Sequence, residues 1–100
     1  MKRNPKIEKL GTTGASFITA SGRELELRAS DKRLYASLDL GGGDSSTVWR
    51  DGDQGAAEAE ELRALLAAIE DGKKARRRLI EIARTQEILV LEWAADHHAA

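Results

Sequence analysis

The chain has 100 residues, of which 41% are hydrophobic and 33% charged, a formal net charge of −1 and no cysteine. That is the size of one domain, and the missing cysteine excludes disulfides, thiolate nucleophiles and thiolate metal sites. No apolar run approaches the roughly 20 residues that span a bilayer, so no membrane segment is expected, and the balanced charge argues against a domain built for bulk nucleic-acid binding.

The balance hides an asymmetry. Residues 1–50 sum to +3 and residues 51–100 to −4. The start carries Lys2, Arg3, Lys6 and Lys9 but no apolar stretch after them, so no secretory leader is expected, and a cytoplasmic location fits.

Residues 1–14 read as a flexible lead-in. They are polar, hold Pro5, and end in Gly11-Thr12-Thr13-Gly14. From Ala15 to about Arg50 the period becomes two. Phe17 and Thr19 alternate with Ser16 and Ile18, and Ser21-Gly22 suits a tight turn. Leu25, Leu27 and Ala29 then oppose Glu24, Glu26 and Arg28, the cleanest strand pattern in the chain. Ser30-Asp31-Lys32 has turn chemistry. Leu34, Ala36, Leu38 and Leu40 share the next face, and Thr47 to Arg50 form a fourth strand after the glycine-rich loop Gly41 to Ser46. Short connections imply an antiparallel meander.

Asp51 to Gly55 offers helix N-caps, and the period then becomes 3.6. Leu62, Leu65, Leu66 and Ile69 form one stripe, with Ala59 and Ala68 beside it, over a helix at 55–71. Asp71-Gly72 reads as its stop, and Asp71 as a cap for the next helix. That second helix, at 73–96, carries Ala75, Leu79, Ile82, Ala83 and Gln86 on one side. Residues 87–93 also suit a buried strand. The stripe continues through Leu89, Val90 and Trp93 with no Gly or Pro after Gly72, which favours one long helix.

The expected architecture is α+β. A four-stranded antiparallel meander over 15–50 is followed by two C-terminal helices packed on its apolar face, all within one domain over 15–100. Ile80, Ile88 and Leu91 fall off the main stripe of the second helix, and this surplus points to a homodimer through that helix or to an apolar docking surface.

The most distinctive local pattern is a charge reversal at Gly72. Glu58, Glu60, Glu61, Glu70 and Asp71 precede it, and Lys73, Lys74, Arg76, Arg77 and Arg78 follow it. Cations in the first turn of a helix oppose its dipole, at about 0.3–1 kcal/mol each when exposed. Acids of the preceding helix offset that across a hairpin and leave a solvated face. A docking patch for an acidic protein surface makes fuller use of the pattern. Phosphate contact is the alternative, but helix-turn-helix spacing, an RNP-like aromatic strand and a zinc finger are all lacking.

The other constellations carry less. The glycine loop lacks the GxxxxGK[ST] pattern and a following helix, so it reads as a hairpin loop. Asp96-His97-His98 sits at the chain end without the partners of a metal site, and Asp39, Asp44, Asp51 and Asp53 lack the spacing of a calcium loop. No Ser-His-acid set is assignable. Trp49 and Trp93 are expected in the core or covering the sheet. Either one, if exposed, becomes a binding hot spot.

The sequence therefore points to a small non-enzymatic interaction protein, with no catalytic residue, metal or cofactor. It would bind a protein with an acidic surface stoichiometrically, as inhibitors and regulators among small bacterial or phage accessory proteins do. The expected partner-binding residues are Lys73, Lys74, Arg76, Arg77, Arg78, Trp49 and Trp93. A nucleic-acid-binding accessory protein using residues 73–78 is the alternative.

Overall fold

The computed structural model describes residues 4–98; Lys2, Arg3 and the side chain of His98 lie outside the described residues. Five strands, β1 (Lys6–Leu10), β2 (Gly14–Ile18), β3 (Glu24–Ala29), β4 (Leu34–Gly41) and β5 (Asp44–Arg50), form one antiparallel sheet in the order of the chain. Two helices follow, α1 (Gly52–Ala67) and α2 (Lys73–His98), joined by a 3-10 turn at Ile69–Asp71. The fold class is α+β, with both helices on one face of the sheet.

The sheet's inner face follows from strict alternation. Cross-strand rows mix large and small side chains. One runs Phe17, Leu25, Leu38 and Ser46, the next Ala15, Leu27, Ala36 and Val48. Ala59, Leu62 and Leu66 of α1 and Leu79, Ile82, Ala83 and Val90 of α2 complete this core. Each fully buried Leu or Phe there contributes about 1.5–3 kcal/mol by leaving water. The sheet edge is tied to α1 by a half-buried ion pair, Arg50 Nε to Glu58 Oε1 at 2.6 Å. Gly55, in the first turn of α1, lies so close to the Arg50 carbonyl that a Cβ would overlap it.

The long-helix reading of residues 73–96 holds, and residues 87–93 are helical. Four expectations are corrected. The sheet has a fifth strand: residues 6–10, assigned above to a flexible lead-in, pair with β2. The pattern hid β1 because Ile7 is its one half-buried side chain, so backbone pairing rather than apolar alternation holds it. The glycine-rich segment is shorter as a loop than expected. Gly42 and Gly43 have φ of 63° and 86°, the backbone of a two-residue hairpin turn, so pairing runs on to Gly41 and Asp44. Helix α1 starts at Gly52 and ends at Ala67, where the Ala68 N–H divides between the Ala64 and Leu65 carbonyls and the chain tightens into the 3-10 turn. Asp71 closes that turn, one residue short of the capping position of α2.

The outer face carries polar and aromatic side chains. Thr47 donates to Ser37 Oγ at 3.2 Å, Tyr35 meets Trp49 edge to face at 4.9 Å, and the Arg28 guanidinium lies 4.4 Å from the Tyr35 ring centre.

At about 1.5 Å per residue, the 26 residues of α2 extend roughly 39 Å. The eight residues of β4 reach about 26 Å. The helix is thus longer than the sheet it covers.

Candidate functional site

The helical hairpin places the charge reversal in three dimensions. Gly72 has φ 153° and ψ −178°, a conformation open almost solely to glycine, and it turns the chain from the 3-10 segment directly into α2. The cationic run therefore forms the first turns of α2, beside the end of α1. Acidic residues are absent from that first turn.

The five cations divide into two groups. Arg78 reaches back to α1, where its Nε and Nη2 donate to Glu61 Oε2 and Oε1 at 2.8 and 3.1 Å. It also lies 3.6 Å from Glu81 one turn on. Glu61, by hydrogen bond and charge, raises the Arg78 pKa further above its ordinary value. Lys73, Lys74, Arg76 and Arg77 are exposed, and among the described residues none has a carboxylate within ion-pair distance.

Between the helices lies an open groove of about 620 Å³. Leu65 and Ala68 of the first arm and Ala75 of α2 give it an apolar floor. Lys74, Arg77 and Arg78 rim it, with Asp71 and Glu81 among them. The apolar floor was not anticipated, because Leu65 and Ala75 were both assigned to core stripes. Their half-buried state is the signature of residues at the margin of a core.

The seven expected binding residues do not converge. The five cations share the first turns of α2, and Lys74, Arg77 and Arg78 of them line the groove. Trp93 lies twenty positions along α2 from Lys73, about 30 Å away. Trp49 stands on the outer face of the sheet, away from both helices. Neither tryptophan is a buried core residue: they are 54% and 38% exposed, which corrects the expectation of a core position. Trp49 faces outward because its neighbour Val48 takes the inner face.

His97 stacks on Trp93 with ring centres 3.5 Å apart, and its Nδ1–H donates to the Trp93 carbonyl at 2.8 Å. Among the described residues, no three His, Asp or Glu side chains converge as metal ligands, and no helix is long and apolar enough to cross a membrane. No family model, curated protein or solved structure matches the chain.

Proposed function

We propose that this chain is a small interaction protein that binds an acidic, partly apolar segment of another protein in the groove between α1 and α2. One observation carries this reading. Lys74 and Arg77, exposed and without carboxylate partners among the described residues, line a groove with an apolar floor, and Lys73 and Arg76 add unpaired charge in the same turns of α2. Cations at the start of a helix work against its dipole, so generic folding does not favour them there. A segment bearing Glu or Asp on one side and a Leu-sized group on the other satisfies both the rim and the floor. Phosphate backbone has no use for an apolar floor, whereas an amphipathic acidic segment uses both the cations and the floor. Occupancy of one groove by one segment is stoichiometric, as befits an inhibitor or regulator. No catalytic residue is assigned.

The test uses a labelled amphipathic peptide of Glu and Leu, the same peptide with Lys for Glu, and a single-stranded DNA oligonucleotide. The acidic peptide should bind, with amide shifts centred on Leu65, Ala68 and Ala75. Replacing Lys73, Lys74, Arg76 and Arg77 by Gln should weaken it by about tenfold or more, equivalent to about 1.4 kcal/mol. Acidic-peptide binding that ignores the replacement overturns the proposal. Tighter binding of the oligonucleotide, falling steeply with salt, transfers the site to nucleic acid.

A further inference from the structure

The outward face of α2 carries a self-complementary pattern. Buried Leu79, Ala83, Gln86 and Val90 define the face turned to the core. Ile88 projects from the opposite side and is 53% exposed, with Leu91 beside it at 38%. Arg84 and Glu92 stand four residues before and four residues after Ile88, so the three form one ridge along the helix. Both charged residues are exposed, and neither has an ion-pair partner among the described residues. The Arg84 guanidinium contacts Asn4 Oδ1 and keeps further donors for other acceptors.

We propose that this face docks a second copy of the chain, helix against antiparallel helix, about a two-fold axis through Ile88. Charge complementarity selects the occupant and its direction. An antiparallel copy centred on Ile88 sets Arg84 opposite Glu92 of the second copy, twice over by symmetry. A parallel copy sets arginine against arginine and glutamate against glutamate, which disfavours it. Ile88 packs on its symmetry mate at the centre, with Leu91 flanking it. The contact is one helix face wide, so the dimer is weak and concentration-dependent. This inference is independent of the groove, which occupies the other end of α2.

Sedimentation velocity on the full chain up to about 0.1 mM, in the range of weak, small-interface association, tests it. The wild type should dimerise. Arg84→Glu alone and Glu92→Arg alone should each sediment as monomer, with helix content unchanged by circular dichroism. An equimolar mixture of the two single variants should associate again, because each pairing in the mixed dimer is then opposite in charge. The double variant R84E/E92R should likewise dimerise. A wild-type monomer throughout the range overturns the proposal. A single variant that stays dimeric overturns it too, as does a mixture that fails to reassociate.

Discussion

Arg78 and Glu61 meet across the helical hairpin in a two-point ion pair, with donor–acceptor distances of 2.8 and 3.1 Å. The contact separates one cation of the run from the other four. Arg78 holds α2 to α1, whereas Lys73, Lys74, Arg76 and Arg77 hold nothing among the described residues. Both partners are about half exposed, so Glu61→Gln should lower stability by less than about 1 kcal/mol. Replacing the four outer cations by Gln should leave stability unchanged or raise it, because an unfavourable dipole contact of about 0.3–1 kcal/mol per position disappears. Urea denaturation of the two variants checks both signs. A marked loss on removing the four outer cations would assign them a structural task.

Two glycines should resist substitution for different reasons. Gly72→Ala has space for its methyl group but must adopt φ 153° and ψ −178°, a conformation worth about 1–3 kcal/mol of strain. Gly55→Ala has an ordinary helical backbone but no space, because its Cβ overlaps the Arg50 carbonyl. Relieving that overlap requires α1 to move off the sheet edge, with a comparable loss of about 1–3 kcal/mol. Gly55→Ala should also disturb the Arg50–Glu58 pair, which Gly72→Ala leaves intact. Amide shifts at residues 50 and 58 distinguish the two.

Tyr35 is the single tyrosine, so its ionisation is directly readable by absorbance near 295 nm. The Ser37 hydroxyl, more than Arg28 and Thr47, lowers its pKa below the ordinary value of about 10, against the opposing effect of burial. The folded value is depressed. Its contribution to stability is therefore fully present above the unfolded value near 10 and is lost as pH falls through the folded value. Ser37→Ala should move the titration upward, and Arg28→Gln should do so to a smaller extent. A midpoint that does not respond to Ser37→Ala would remove that hydroxyl as the cause.

Much of the fold was legible because its signals are local. Leu25, Leu27 and Ala29 against Glu24, Glu26 and Arg28 allow one strand orientation, and the unbroken stripe from Leu79 to Val90 favours a helix over the strand that residues 87–93 also suit. β1 was not legible because an edge strand needs only one backbone partner, and Lys6, Glu8 and Lys9 display no buried face. The cationic run was visible as composition. Which of its members was already paired depended on Glu61, seventeen residues away, and on the angle at Gly72. The groove floor combines Leu65 and Ala75 from two arms, and linear spacing carries no record of that approach.

The neighbour-only order of the five strands also shapes how the chain reaches this state. Each strand finds its partner in the segment just synthesised or just folded, so the sheet grows by successive local closures of short loops. Only the docking of the two helices joins segments far apart in the chain, as when Ser21 donates to Glu87 across sixty-six positions. Helix docking, rather than strand pairing, is then the step that closes the loops most expensive in chain entropy. Variants in the Leu79–Val90 stripe should accordingly report on assembly rate more sharply than variants in the hairpins.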